Sequence, residues 1–168
     1  EILSGPGPGP MFGPQIRGFN YDAAALTAIA KINFSAFALA GFGVNVAAGD
    51  VEPDAYDEVG AASGPGPGAA YVAWLRGYDY DGQSVTALPG FEVTAFSGAL
   101  YGARVGLAGI TQDAADDLLG GAGRDPSAPS TVWAWPYASQ TLTPAVTPFE
   151  AFPGDAFGVN VAAGVLGY

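Results

Sequence analysis

The chain has 168 residues and carries 16 Asp and Glu residues against five Lys and Arg residues, which gives a net charge of −11. This acidity argues against nucleic-acid binding, because phosphates are neutralised by clustered cations. The sequence has no cysteine and no histidine, which excludes disulfides, thiolate metal sites and every Ser-His or Cys-His catalytic arrangement. Apolar residues make up 49% of the chain and predict a packed core, while 26 glycines and 14 prolines predict many turns.

The first part of the chain predicts four short strands. "EILSG" from Glu1 is a short strand that ends at a Gly/Pro block, which cannot continue a β-ladder. "QIRGFNY" from Gln15 is rich in aromatic residues and ends at turn residues. The segment from Asp22 to Ile32 is helix-like in composition, but its counterparts later in the chain are not, so a strand or loop is predicted. "GVNVAA" from Gly43 alternates in the manner of a half-buried strand.

The same landmarks return twice in the same order. "WLRGYDY" from Trp74 repeats "QIRGFNY", and a third version begins at Trp133. A second helix-like segment, "TQDAADDLL" from Thr111, is likewise predicted as strand or loop. An aromatic residue and a glycine precede or open each copy of the valine-rich strand, at Phe42-Gly43, Tyr101-Gly102 and Phe157-Gly158. The chain is therefore predicted to be one repeat domain, 1–168, with units of approximately 1–49, 50–109 and 110–168.

Three four-stranded antiparallel units of about 56 residues are typical of β-propeller blades, an all-β fold. One such sheet cannot bury both faces, so the units are expected to stack. Propellers usually close with about four to eight blades, so two arrangements stay open: two copies forming a six-bladed ring, or part of a longer propeller. Since the chain opens at Glu1 within a motif and shows no signal peptide, we expect a fragment or a processed product. The apolar stretch from Phe34 to Gly49 is too interrupted for a membrane helix.

Only the first valine-rich strand continues into an acidic run, "GDVEPDAYDEV". Positions 1, 3, 5, 7 and 9 of this loop are Asp50, Glu52, Asp54, Tyr56 and Glu58. Calcium takes six to eight oxygens from carboxylates and backbone carbonyls, which this spacing supplies, so one calcium site is predicted. The alternative is an acidic, solvated turn between strands. The second loop keeps only Asp113 and Asp117 in register, and the third lacks the acidic run.

The segment "FGVNVAAGDVEPDAYDEVGAASGPGPG" resembles the FG-GAP (VCBS-like) repeat of integrin-α-type β-propellers. The matching elements are Phe42-Gly43, Gly49-Asp50 and, more loosely, Gly64-Pro65. The family loop usually has glycine at positions 4 and 6, where this chain has Pro53 and Ala55, and Glu52 is longer than the usual residue at position 3. The resemblance extends over the whole chain as a periodicity and over one loop as a motif.

The resemblance implies a non-catalytic structural or recognition module that mediates protein–protein or surface interaction, stabilised by calcium, in an extracellular or cell-envelope setting. The expected partner is another protein, or a second copy that completes a ring. No nucleic acid and no membrane span are expected.

The main alternative is a carbohydrate-binding, lectin-like propeller. Trp74, Trp133 and Trp135 would stack on sugar rings, and Asp79 and Asp81 would accept hydrogen bonds from sugar hydroxyls. Gln15 stands at the first unit's equivalent of Trp74, which argues against a shared sugar site. An enzyme is not predicted because no nucleophile–base constellation is visible, although a glycosidase that uses carboxylates alone stays open.

Overall fold

The structure, a computed structural model, describes residues 1–111, 113–145 and 147–163. These residues form thirteen strands in antiparallel sheets and no helix, which confirms the predicted all-β class. Nothing in the described chain could serve as an apolar membrane-spanning helix. Residues 164–168, at the end of the third predicted unit, lie outside the described residues.

Three sheets contain most of the strands. The first sheet has the order β1 (Ile2–Ser4), β2 (Gln15–Tyr21), β3 (Leu26–Ser35). The second has the order β4 (Val44–Gly49), β5 (Glu58–Ser63), β6 (Trp74–Tyr80), β7 (Val85–Thr94). The third comprises β8 (Ala103–Ala108), β9 (Asp117–Ala122), β10 (Thr131–Trp135) and β13 (Phe149–Glu150). A small ribbon pairs β11 (Tyr137–Ala138) with β12 (Thr141–Leu142).

Both helix-like segments are strand or loop, as predicted. Most of the first lies in β3, which pairs antiparallel with β2. Of the second, the described residues 111 and 113–116 are loop and 117–119 belong to β9, while Gln112 lies outside the described residues.

Each of the two complete four-stranded sheets begins with its valine-rich strand. β4 pairs with β5 from Val44 opposite Ser63 to Gly49 opposite Glu58, and β8 pairs with β9 in the same way. Hydrogen bonds thus join strands across the bounds 49/50 and 109/110 of the predicted units. The first sheet has no counterpart of β4 among the described residues. Residues 157–163 repeat β4 and its turn but form no ladder with a described strand.

The sheets stack face to face around two apolar cores. One core, between the first and second sheets, contains Ile16, Ile32 and Val59. The other, between the second and third, contains Leu75 and Leu118. Strand β5 is buried along its whole length and contributes to both cores, which requires small side chains on a strand covered on both faces. This packing explains the alanine and glycine content of the repeat.

A left-handed turn precedes each valine-rich strand. The aromatic residue and the glycine both have positive φ, at 66° and 68° for Phe42 and Gly43, with nearly equal values in the other two copies. The amide of Gly102 donates to the carbonyl of Tyr71 at 2.8 Å, in the loop of the preceding sheet. A Cβ on Gly102 would overlap the carbonyl oxygens of Ser63 and Gly64. The turn therefore requires glycine both for its backbone angle and for close approach to the previous sheet.

We expect Gly102→Ala to lower the free energy of unfolding by at least about 3 kcal/mol, because it combines left-handed strain with overlap of two carbonyls. Gly98→Ala is the matched control, since Gly98 also has positive φ but no neighbouring atom within 4 Å of a Cβ. The control is expected to cost only about 1–2 kcal/mol. Urea denaturation of both variants measures the difference. Equal losses of unfolding free energy would show that close approach to the preceding sheet does not require glycine at this position.

Candidate metal centre

The acidic run forms the loop between β4 and β5, and its last residue, Glu58, begins β5. The Glu58 side chain is 0% exposed. Its Oε2 accepts hydrogen bonds from the amides of Val51 at 2.6 Å and Glu52 at 3.0 Å. These hydrogen bonds connect the start of the loop, Val51 and Glu52, to the start of β5. Its other oxygen, Oε1, is buried and has no hydrogen-bond partner among the described residues.

Three carboxylates meet at this end of the second sheet. Asp54 lies in the loop, Glu58 begins β5, and Asp79 lies on the neighbouring strand β6, one residue beyond the pair Val59–Tyr78. One oxygen from each carboxylate lies within 4.8 Å of the other two. Calcium–oxygen distances are about 2.3–2.6 Å, so oxygens on opposite sides of one ion would stand about 5 Å apart. We call these three residues the carboxylate trio.

The trio concentrates negative charge around the buried Glu58, with Asp54 exposed and Asp79 half-buried. The pKa of Glu58 is raised from 4.5 to about 7, chiefly by burial and also by the charges of Asp54 and Asp79, while the amides of Glu52 and Val51 oppose the shift. Burial and the neighbouring charges of Asp54 and Asp81 also raise the pKa of Asp79. Asp79 Oδ1 is, like Glu58 Oε1, buried without a hydrogen-bond partner. A bound cation would satisfy both oxygens and offset the repulsion.

Of the five predicted ligands, the structure brings Asp54 and Glu58 into the trio. The other three are not among the clustered carboxylates. Asp50 exchanges backbone contacts with the next loop, since its amide donates to Asp116 Oδ2 and its carbonyl accepts from the Asp116 amide. Glu52 contributes its amide to Glu58 and its carbonyl to the amide of Asp54. The ring of Tyr56 packs edge-on against that of Tyr80, at 5.5 Å between centroids.

Sequence reasoning did not assign Asp79 to the metal site. It considered this residue only as a possible hydrogen-bond acceptor for a sugar. The equivalent residues in the other two units are Asn20 and Ala138, so a carboxylate stands at this position only in the unit with the acidic loop. The occurrence of Asp79 in the same unit as the acidic loop could have indicated that it belongs to the metal site. That inference also requires the pairing of β5 with β6.

In the loop between β8 and β9, the counterpart of Glu58 is Asp117, which closes its loop without a cluster of three carboxylates. Asp117, the counterpart of Glu58, is buried and accepts from the amides of Ile110 at 3.0 Å and Thr111 at 2.9 Å. The Thr111 hydroxyl also lies 3.0 Å from the Asp117 carboxylate and 2.8 Å from that of Asp113. Asp117 therefore stabilises its loop with local donors alone, and it joins no carboxylate cluster among the described residues.

The tryptophans of the carbohydrate alternative are engaged in packing. The guanidinium of Arg76 lies 4.2 Å from the Trp74 ring centroid, and Trp74 Nε1 donates to Glu92 at 2.7 Å. Trp135 is buried and packs against Trp133, with 5.1 Å between centroids. These contacts cover part of the indole surfaces, while Trp74 and Trp133 stay partly exposed, so the carbohydrate alternative stays a prediction.

Asp81, the other acceptor proposed for a sugar, caps its own turn. Its carboxylate accepts from the amides of Gln83 and Ser84 and from the Ser84 hydroxyl. These hydrogen bonds lower its pKa. Asp81 is therefore a turn residue within two positions of the trio, which makes it a suitable control for Asp79.

In the presence of a chelator, we expect Glu58 to make stability fall as the pH rises from 4.5 to about 7. A carboxyl whose folded pKa is raised stabilises the folded state most below its unfolded pKa, and the benefit is lost as it ionises. Glu58→Gln, which cannot ionise, should remove this part of the pH dependence, whereas Glu52→Gln should keep it. Unfolding free energies of the three chains across this range measure the effect, and parallel curves for all three would contradict it.

Comparison of the chain with protein-family models, with curated proteins and with solved structures finds no match. A function for the chain therefore has to be inferred from its own residues. The most distinctive arrangement of chemically active groups described above is the carboxylate trio and its two unpartnered buried oxygens.

Proposed function

We propose that the chain is a non-catalytic structural and recognition module, built from β-propeller blades, in which one calcium ion stabilises a loop at a surface for protein–protein or surface interaction. The observation that carries the proposal is the trio of Asp54, Glu58 and Asp79, with buried, unpartnered oxygens on the last two. Such an arrangement is costly without a cation and favourable with one.

The donor set supports calcium among the common metals. All three side chains offer carboxylate oxygen, and hard oxygen ligands suit calcium and magnesium rather than zinc or copper. Calcium tolerates irregular coordination, whereas magnesium demands a near-ideal octahedron. Backbone carbonyls of the loop and water would complete the coordination shell. The Glu58 carboxylate already holds the loop through Val51 and Glu52, so a cation would link this hairpin to β6.

The other polar groups near the trio support a structural role. Arg76 is held between Trp74 and Glu92, and Asp81 caps a turn. The loop presents Tyr56, an exposed aromatic residue of the kind found at protein interfaces. An extracellular or cell-envelope setting belongs to the proposal, because modules there bind calcium with Kd of about 0.1–1 mM, the range in which a site of a few carboxylates works.

We expect calcium to raise the melting temperature of the chain and Asp79→Asn to weaken calcium binding at least tenfold, because a neutral amide replaces one of three charged ligands. Asp81→Asn is the matched control, since its side chain caps a turn two residues away and asparagine caps turns as well. Calorimetric titration of the three chains with calcium, followed by thermal melts with and without chelator, measures both effects.

Two outcomes would contradict this part of the proposal. The first is a melting temperature of the unaltered chain that does not depend on calcium. The second is an equal loss of affinity in Asp79→Asn and Asp81→Asn, which would show that net charge matters and the trio does not. Titration with magnesium alongside calcium tests the choice of ion.

A further inference from the structure

We propose that a cleft between the second and third sheets binds an uncharged aromatic ring, an indole or a phenol. Where the ring is the side chain of a protein partner, the inference rests on the proposed function, since it then names what the interaction module recognises. Its basis lies outside the metal centre: a cleft between two complete sheets, the replacement of large side chains by small ones, and an uncharged lining.

The cleft has a volume of about 380 Å³, and its lining residues lie between positions 96 and 148. One wall is the segment 96–99, which follows β7. The opposite wall belongs to the third sheet and the loop before β10, and it includes Ala128, Thr131 and Trp133. Binding sites for small molecules commonly enclose about 300–1,000 Å³, so this space is large enough for one ring. We call it the aromatic cleft.

The structural counterpart of Trp74 in the third sheet is Thr131, two residues before the tryptophan that the sequence repeat aligns with it. The carbonyl immediately before Trp74 accepts a hydrogen bond from the amide of Ala95 at 2.8 Å. The carbonyl immediately before Thr131 accepts the equivalent bond from Ala151 at 2.9 Å. At the junction of the first and second sheets the Trp74 indole packs against Phe37, with 5.5 Å between ring centroids. Thr131 supplies no ring for this contact.

Two further positions of the aromatic cleft carry small residues. Ala128 is the counterpart of Tyr71, because the carbonyl of each accepts the amide of the glycine in the next left-handed turn. The Tyr71 ring packs edge-on against Phe42, at 5.1 Å between centroids. Gly98 is the counterpart of Leu39 in the segment before the turn, and Leu39 packs against the core of the first junction. Threonine, alanine and glycine thus stand in place of tryptophan, tyrosine and leucine, and the lost volume accounts for the cleft.

The walls of the cleft suit an aromatic ring. Phe96 and Trp133 are both half-buried, with 6.4 Å between their ring centroids, so both keep accessible surface. Ser97 and Thr131 add hydroxyl groups that can pair with an indole N–H or a phenol O–H. The lining residues, all within the described chain, include no carboxylate, amide or guanidinium side chain to bind a charged group or the hydroxyls of a sugar.

The neighbouring junction indicates the occupant. There a phenylalanine and an indole of the chain itself pack together, whereas here Phe96 keeps the position of that phenylalanine and the indole is absent. Apolar cavities that remain where a large side chain is replaced by a small one bind ring compounds. An added indole or phenol would therefore restore a contact that the first junction makes internally, with the preferred tilted geometry of aromatic pairs.

Binding is tested by NMR titration of the chain with N-acetyl-tryptophanamide and N-acetyl-tyrosinamide. N-acetyl-leucinamide controls for apolar bulk and methyl β-glucoside for a sugar ring. We expect both aromatic probes to shift the amide signals of Gly98 and Ala99 and to bind at least tenfold more tightly than either control. No binding of an aromatic probe, or equal binding of a control, overturns the proposed site.

The source of the ring is tested with free indole in the same titration. Binding of the capped amino acids as well as of indole supports a side chain of a protein partner, because the cleft then admits the attached backbone. Binding of indole alone overturns a partner's side chain as the source and leaves a site for a free aromatic molecule.

The location is tested with Thr131→Trp, which fills the cleft as Trp74 fills the neighbouring junction. We expect this variant to bind N-acetyl-tryptophanamide at least tenfold more weakly and to melt at a higher temperature than the unaltered chain, because the added ring packs against Phe96. Thr27→Trp, the same substitution at an exposed position of β3, is the matched control and should change neither. Unchanged affinity in Thr131→Trp, or an equal loss in both variants, overturns the assignment to this cleft.

A second filling variant keeps the test decisive if Thr131→Trp does not fold. Ala128→Tyr adds, from the loop before β10, the ring that Tyr71 supplies in the second sheet. It should likewise weaken binding of N-acetyl-tryptophanamide at least tenfold. An Ala128→Tyr chain that folds and binds as the unaltered chain does overturns the proposal.

These results can be separated from those on calcium, because the carboxylate trio and the aromatic cleft share no residue. The titrations are run with calcium and with chelator, and melting temperatures are measured on the same samples. A calcium-dependent melting temperature without binding of the aromatic probes overturns the ring site alone. Binding of the probes without any calcium effect overturns the calcium-stabilised loop alone.

Discussion

The contact between each left-handed aromatic–glycine turn and the carbonyls of the preceding sheet is the constraint on which the stacking depends. All three glycines of these turns lie where a Cβ would strike two backbone oxygens. All three aromatic residues also accept positive φ, which costs about 1–3 kcal/mol in an isolated chain. The packing of the turn against the preceding sheet offsets that strain. The turn also fixes the position at which the next sheet begins. This explains why an aromatic residue followed by glycine recurs in all three copies, including the one at Tyr101 whose following residues differ.

The first residue of the second strand in each of the two complete sheets, Glu58 or Asp117, is a second shared feature of the repeat. Glu58 and Asp117 both bury a carboxylate that accepts the amides six and seven residues earlier, so both close the hairpin loop before them. The difference lies in what surrounds the remaining oxygen. Asp117 has the Thr111 hydroxyl nearby, whereas Glu58 faces Asp54 and Asp79. A buried carboxylate that accepts two backbone amides therefore closes the loop in both copies. The acidic run is not needed for this closure, so it can be present in only one copy.

The sequence predicts the strands well because period-two alternation, Gly/Pro blocks and the internal repeat are local signals. The segment from Asp22 to Ile32 has a helix-like composition, but its counterparts in the other two units do not. Comparing the units therefore predicts a strand or loop where composition alone would predict a helix.

The metal centre is predicted less well. Alternation along the loop predicts that Asp50 and Glu52 also bind the ion, and this stays a prediction; the structure shows their backbone amides bonded to Asp116 and Glu58. Asp79 lies 21 positions after Glu58 and joins it only through the pairing of β5 with β6, which no local spacing reveals. The propeller arrangement, the ion and the setting stay predictions.

The carboxylate trio lies beside a further cleft, the one between the first and second sheets. Ala55 and Tyr56 follow Asp54 in the same loop, and both line the cleft beside β1. A cation held by Asp54, Glu58 and Asp79 would tie this wall of the cleft to β6 and reduce the freedom of the loop before a partner binds there. Preorganisation of this kind raises affinity without adding a contact. Because Asp54 is exposed while Glu58 is buried, the ion would reach the site from the loop side. A cation at the trio would therefore order this wall of the cleft without itself lining the cleft.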